Sequence, residues 1–567
     1  MHTKAIAIII ALIAATYVNS LPNGFVRDDP LFFEHNTFYK SWSNFPTLLK
    51  TDYIVTGNRM ALNPPGDLGS GEVSYRPVGS ATFFIDGWLW PENAFGYHLV
   101  NFLLHAANGV LTYMLLLAVT GTSAAALLGA LLFGVHPINS EAVCNIGFRA
   151  DLLAFFFAVS AFLLFLKHDR YAGPRRGIYY LAALVCFFFA VFSKESAVFL
   201  PVMLLAYDFY WRKIQFVRHA PFIGVTLFFL FVYFFVFPNS TLAALEPDLA
   251  GRIPGMLAIL AAYLKAFVLP TSVHVLPTLY APPAQTVMSG EVVLALAAVI
   301  ALVWGIVAFY KNHKGLSFLL LWFLAAYLPV SNLVPIANPM AHRFMYLPSL
   351  GILGAAALAL CRIEQAYRHS KKLPTFGKIL KYGILALCML TTISLNGLWR
   401  SDALLAMDIT RQYPQNASGH FALGLAYFKE GLYDEAVVAF QRAEQLGLDD
   451  PRLFYYLGLS YRKDFNKMRK YLTMAMTADY ALPYLALGHE HLIRGAPEQA
   501  LPYLEKGVVL APAEFAPAYE DLMAAYLQLG RIEDARELLR RAREAVKDQE
   551  TLRHLTDLFE KGSMTGG

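Results

Sequence analysis

Two adjacent carboxylates, Asp28 and Asp29, close the stretch Leu21-Pro22-Asn23-Gly24-Phe25-Val26-Arg27-Asp28-Asp29, directly after the first apolar segment of a strongly hydrophobic chain. An ionised Asp within hydrogen-bond reach of a weakly acidic hydroxyl can act as general base while that hydroxyl attacks. If the transferred group departs from a lipid phosphate, that phosphate is already a fair leaving group and needs nearby cations rather than a general acid. Arg76, Arg149, Lys194, Lys265 and Arg343 are the candidates for that charge. Glu34, Tyr75, His136, Glu141, Asp151, Glu195 and His342 are the candidates for an acceptor site or pocket lining, and Asp86 falls with them. Charged groups beside a bilayer are costly unless they pair or line a wet cavity, so their concentration on one face marks a candidate site.

Each residue also has a plainer role. Neighbouring side chains point to different sides of a strand or helix, so at most one Asp serves as base while the other binds acceptor, caps a helix or helps hold a metal. Arg76, in Tyr75-Arg76-Pro77-Val78, equally suits an interfacial anchor. Arg149 with Asp151, and Lys194 with Glu195, equally suit structural ion pairs at helix ends. His98, Asn101 and His105 share one helix face and read as interhelical hydrogen-bonding groups rather than metal ligands. His136, just before Pro137, reads as a helix-end residue. No Gly-rich phosphate loop, zinc spacing or Ser-His-Asp pattern stands out, and a divalent cation is left open.

The elements that must hold these groups are membrane helices. With 57% apolar and only 15% charged residues over 567 positions, the chain falls in the multi-span class. Apolar runs of crossing length lie near 4–20, 97–119, 122–137, 150–166, 178–193, 195–210, 220–238, 290–310, 316–330, 344–361 and 379–398. The first reads as an uncleaved span rather than a signal peptide, because the aspartates follow at once. Basic loops carrying Lys167 to Arg176, Arg212 to Arg218, Lys311 with Lys314, and Arg362 to Lys378 are placed inside by the positive-inside tendency. That holds only if 255–270, framed by Pro254 and Pro270, is a re-entrant or interfacial helix. About eleven crossings result, and the candidate residues share the outer face, where 21–96 forms the first loop. The net charge of +5 reports orientation rather than nucleic-acid binding, and four scattered cysteines show no disulfide framework.

Past residue 400 the pattern becomes that of a water-soluble helical domain, over 401–560. Leu423-Gly424, Tyr427, Gly431, Ala436 and Phe440 follow a tetratricopeptide pattern, and units starting at Leu457-Gly458, Leu487-Gly488 and near Tyr526 follow at spacings of 34, 30 and 35 residues. The second unit reads as cut short where Lys463 to Lys470 should complete its first helix. Such stacks bind peptides or helices and do no chemistry themselves. The fold class is therefore all-α, a transmembrane helical bundle followed by a repeat α-solenoid.

In combination, several stretches resemble one group of proteins. They are Asn19 through Asp29, Tyr75-Arg76-Pro77-Val78, Gly96-Tyr97-His98-Leu99-Val100-Asn101, Gly134-Val135-His136-Pro137 through Val143 with Arg149-Ala150-Asp151, Ser193-Lys194-Glu195, and Tyr327-Leu328-Pro329-Val330-Ser331-Asn332 with Arg343-Phe344-Met345-Tyr346. The chain resembles the GT-C membrane glycosyltransferases with C-terminal tetratricopeptide repeats, the TMTC proteins and their bacterial relatives. The resemblance implies transfer of a sugar, mannose in the animal proteins, from a polyprenyl phosphate to Ser or Thr hydroxyls of a polypeptide. It implies a catalytic role for the first acid after the first span, by position Asp28 with Asp29 second. It departs at His342, where Glu is expected, and in its short array of about four repeats. Compact loops suggest a bacterial member, in the inner membrane with its repeats in the periplasm, and the alternative is the endoplasmic reticulum with repeats in the lumen. Expected partners are the bilayer, the lipid-linked sugar and an acceptor polypeptide, with no nucleic acid. Two other readings stand beside this one: a transferase acting on a lipid or envelope glycan, and a non-catalytic membrane-anchored repeat scaffold.

Overall fold

The computed structural model describes residues 2–27, 29, 30, 33, 38–49, 75–236, 249–274, 289–336, 338–366, 373–477, 480–511, 515–546 and 549–565. Of the candidate residues, Asp28 and Glu34 lie outside this set. Among the described residues every regular element is helical. The chain divides into two compact units, one running to Leu405 and one from Ala406 onward.

The first unit contains α1 (His2–Tyr17), α2 (Pro77–Leu89), α3 (Ala94–Thr120), α4 (Ser123–Val135), α5 (Ser140–Cys144), α6 (Arg149–His168), α7 (Pro174–Ser193), α8 (Leu200–Trp211) and α9 (Phe216–Phe231). After these come α10 (Leu249–Val268), α11 (Gly290–Phe309), α12 (Lys314–Tyr327), α13 (Tyr346–Ala366) and α14 (Leu373–Leu398). Among the described residues nine helices are long and apolar enough to cross a membrane, or ten if Ser123–Val135 and Pro137–Cys144, bent by 52°, form one span. The expected segment 122–137 reaches that length only together with its bent continuation, and two more of the eleven fall short of it. The helix over 195–210 has only Leu200–Trp211 in α form, about 18 Å at 1.5 Å per residue, and Lys314–Val330 is likewise brief. Conversely, α10 runs through Pro254 instead of starting after it, and is itself of crossing length. A proline inside a membrane helix is tolerated where neighbours satisfy the freed backbone group.

Close helix approach comes from small residues. A methyl group on Gly351 would lie 2.6 Å from the Leu319 carbonyl oxygen and 2.6 Å from the Phe323 nitrogen, so α13 rests its backbone on α12. Helix α3 ends at Gly121, whose φ of 67° closes the turn into α4.

The second unit stacks antiparallel helix pairs: Ala417–Lys429 with Tyr433–Gln445, Pro451–Ser460 with Phe465–Ala475, Ala481–Ile493 with Pro497–Leu510, and Ala516–Gln528 with Ile532–Ala545, closed by Gln549–Thr565. Gly431, Gly495 and Gly530, at φ 77°, 71° and 69°, make the turns within three of the pairs. In the second pair Lys463 stands where that glycine would be, and the first helix stops early at Ser460. The segment expected to complete it instead opens the next helix, with the Asp464 carboxylate accepting the Lys467 N–H at 3.1 Å.

Gly424, Gly458 and Gly488 mark where paired helices touch. A methyl on Gly424 would sit 2.4 Å from the fully buried Phe440 ring. Gly424→Ala is therefore expected to destabilise the repeats by about 1–3 kcal/mol, read as a lower midpoint when urea unfolding of their helices is followed in the full-length protein. An unmoved midpoint would show that the ring yields freely.

Candidate functional site

The site is built around the segment from Gly134 to Asp151, which leaves α4, turns through α5 and enters α6. Helix α3 holds it in place through buried amides. Asn101 Nδ2 donates to the carbonyls of Val143 (3.3 Å) and Asn145 (3.1 Å), and Asn108 Nδ2 donates to Leu152 (2.9 Å). His105 Nε2 meets the Gly134 carbonyl at 3.0 Å while its Nδ1 meets the Tyr346 hydroxyl at 2.7 Å. These are the interhelical roles expected for Asn101 and His105. His98 instead reaches the Gly24 carbonyl at 3.3 Å, tying α3 to the turn that carries the acids.

That turn is fixed from a second side by the end of α14. Asn396 donates from Nδ2 to the Thr16 carbonyl (2.9 Å), and its Oδ1 accepts from Cys144 at 3.1 Å. Asn23 Nδ2 donates to the Asn396 carbonyl at 3.0 Å. Arg27 adopts φ 58°, a left-handed conformation unusual for a side chain of its size. Its N–H donates to Asp402 Oδ1 at 2.6 Å, which helps hold the backbone there. Asp29 is fully buried; its two carboxylate oxygens accept from Val26 N–H at 3.4 Å and Gly147 N–H at 3.2 Å. The second of these bonds joins the acidic turn to the Gly134 to Asp151 segment.

Four of the five candidate cations already face a carboxylate, and the partners differ from the sequence neighbours. Arg149, wholly buried, pairs with Asp86 on α2, and donates to Asn101 Oδ1 (2.7 Å), Thr82 (3.2 Å) and the Tyr97 carbonyl (3.1 Å). Lys194 Nζ lies 2.8 and 2.9 Å from the two oxygens of Asp151. Arg343 binds Glu141 twice, through NH1 at 2.7 Å and its own backbone N–H at 3.0 Å. Arg76 forks onto Glu195 at 2.8 and 3.2 Å. Neither ion pair suggested by proximity in sequence, Arg149 with Asp151 or Lys194 with Glu195, is the one formed: Asp151 goes to Lys194, Glu195 to Arg76, and Arg149 takes Asp86. Helix α6 turns its first residue toward α2, while Asp151, two positions on, faces the opposite way.

Three of these cations share one neighbourhood. Arg76, Lys194 and Arg343 all act electrostatically on Asp151, and Lys194 and Arg343 lie over the Phe344 ring at 5.0 and 4.9 Å. Arg343 also lies 4.0 Å over Phe148. Burial pushes the Asp86 carboxyl above its usual range, and Arg149 opposes that shift without cancelling it. Tyr75 packs edge-on against Phe192. His136 caps the following turn, its Nδ1 accepting the Ile138 N–H at 3.3 Å and its Nε2 facing the Phe267 carbonyl at 3.4 Å. His342 Nε2 accepts the His274 N–H at 3.4 Å, and its buried Nδ1 has no hydrogen-bond partner among the described residues. Lys265 is exposed on α10, two positions from the buried Tyr263, and makes no ion pair among the described residues. It does not join the cluster.

Sequence reading missed Asn396, Asp402 and the pairing role of Asp86. Each acts through a partner more than 60 positions away, and no local pattern announces such contacts. Among the described residues no group of three or more His, Cys, Asp or Glu is arranged to hold a metal.

An all-helical unit rich in membrane-length helices, followed by tetratricopeptide repeats, defines the class. The family described as TPR repeat matches residues 424–464, and that described as tetratricopeptide repeat matches 491–556. Over 554 residues the chain is 24% identical to protein O-mannosyl-transferase TMTC3 of Mus musculus, covering 89% of this chain and 58% of that protein. It is 24% identical over 541 residues to Tmtc3 of Drosophila melanogaster, covering 80% of this chain and 56% of the other. Mouse TMTC2 is 30% identical over 200 residues, 35% of this chain and 23% of that one. The resemblance to TMTC proteins read from the motifs therefore extends over most of the chain, which spans less than two thirds of the length of these relatives.

Proposed function

We propose that this protein is an integral-membrane glycosyltransferase that moves a sugar, mannose or another hexose, from a polyprenyl-phosphate donor to Ser or Thr hydroxyls of polypeptides. The observation that supports this best is the delivery of Arg76, Lys194 and Arg343, from three separate segments, to the surroundings of Asp151. The Asp29 bond to Gly147 anchors the acidic turn to the same loop. The relatives named protein O-mannosyl-transferases point the same way.

In this reading the acceptor hydroxyl oxygen attacks the anomeric carbon, its proton passes to a carboxylate, and the bond to the lipid phosphate breaks with the electron pair leaving on the phosphate. Asp28 is the base. Asp29 is a positioning residue, because both its oxygens engage backbone N–H groups. Arg343 and Lys194, with Arg76 beside them, stabilise the departing phosphate, and Arg149 holds the floor of the site through Asp86 and Asn101. Glu141, Asp151 and Glu195 hold the cations in place, and Tyr75, His136 and His342 line the site. If α10, though long enough to cross, is re-entrant, the acids and the repeats share the periplasmic or lumenal side, where the repeats present the acceptor polypeptide.

The test is transfer of radiolabelled mannose from polyprenyl-phosphate mannose to a Ser- and Thr-rich polypeptide by the purified full-length protein. Label on peptide hydroxyls, released by alkali, is the expected result. Label on a lipid or glycan with none on peptide would replace the acceptor, and no transfer from any polyprenyl-phosphate hexose would end the enzymatic reading.

A further inference from the structure

The far end of the bundle carries a cavity of about 600 Å³ between α1, α3 and α6. From Arg149 to Lys167 helix α6 advances about 27 Å, roughly the thickness of a bilayer core, so the rim of this cavity at Lys167 lies about a membrane's width from the start of α6. Its walls include Leu111, Met114, Leu163 and Leu164, and its rim carries Lys167 and Arg170. At the same rim His2 Nδ1 meets the Tyr113 hydroxyl at 2.9 Å.

The rim charges face no carboxylate among the described residues, and Lys167 Nζ lies 5.9 Å over the Tyr179 ring. Asp169, which lies between them in sequence, is taken by Arg212 and by Arg218, the latter at 2.6 Å. Lys167 and Arg170 are exposed and form no ion pair among the described residues. Two cations at the mouth of an aliphatic groove complement a molecule with a phosphate head and hydrocarbon chains, and the volume suits such a ligand.

We infer that this cavity binds an anionic glycerophospholipid, with its phosphate on Lys167 and Arg170 and an acyl chain along α3 and α6. The inference is independent of the chemistry proposed at the other end.

The full-length protein in neutral detergent micelles, supplied with phosphatidylglycerol or phosphatidylcholine of matched chains, provides the test, with retained lipid counted by native mass spectrometry. One phosphatidylglycerol is expected to be held in preference to phosphatidylcholine. Lys167→Ala with Arg170→Ala should weaken that binding about 25-fold, about fivefold per cation, and both side chains are exposed, so the variant should fold. Ser160→Trp, which fills the groove and leaves the cations in place, should also expel the lipid. Equal retention of the two lipids, or undiminished phosphatidylglycerol binding by the double variant, would overturn the inference. So would displacement by inorganic phosphate alone, which needs no chain, or by a polyprenyl phosphate at equal concentration, which would make that lipid the occupant.

Discussion

Lys194→Met is expected to destabilise the membrane unit by about 3–5 kcal/mol, because it strands the Asp151 carboxylate in a site that is 7% exposed. Combining it with Asp151→Leu should restore most of that loss, since an apolar pair of similar size is often as stable as a buried ion pair. Urea unfolding in micelles, followed by tryptophan fluorescence, measures both. The double variant also separates two roles. If it is folded yet transfers no sugar, the lysine acts on the departing phosphate; if it keeps full transfer, the pair is structural and the phosphate-binding role falls. A change below about 1 kcal/mol in the single variant would mean that water reaches Asp151.

The two adjacent aspartates should respond differently to the same substitution. Asp28→Asn is expected to lower sugar transfer by about 10²–10⁴-fold, the usual worth of a general base, with an unchanged melting temperature. In Asp29→Asn, whichever oxygen becomes NH2 confronts a backbone N–H donor, from Val26 or Gly147. That leaves a buried donor unsatisfied and should cost about 1–3 kcal/mol of stability. Activity should then fall in proportion to the disorder of the turn rather than to the loss of a base. The reverse pattern, a stable but inactive Asp29→Asn and an active Asp28→Asn, would hand the chemistry to Asp29.

Much of the architecture could be read from the chain, because long apolar runs and glycines repeating at 34 and 30 residues report directly on helices that are buried or stacked. Segment length was less legible. The run 195–210 is mostly apolar, but Lys194 and Glu195 must reach Asp151 and Arg76, and a 3-10 turn over Glu195–Phe199 shortens the α-helix that follows. The composition of the site was legible too, since charges are conspicuous in an apolar sequence. Their pairing was not. Proximity along the chain favours Arg149 with Asp151, whereas the fold brings Asp86 to Arg149 from 63 positions away and Glu141 to Arg343 from 202 away. Lys265 shows the opposite error: a lysine in an apolar run looks functional, yet its side chain lies on the outer surface of its helix.

The guanidinium and ammonium groups around Asp151 are already neutralised by carboxylates. Under the proposed reaction, an incoming lipid phosphate would not simply fill an electropositive hole, because it would add net negative charge to a largely buried space. Its occupancy would then have to be electroneutral in effect, with a proton taken up, a counter-ion carried in, or one acid swung out to water for each anion that settles.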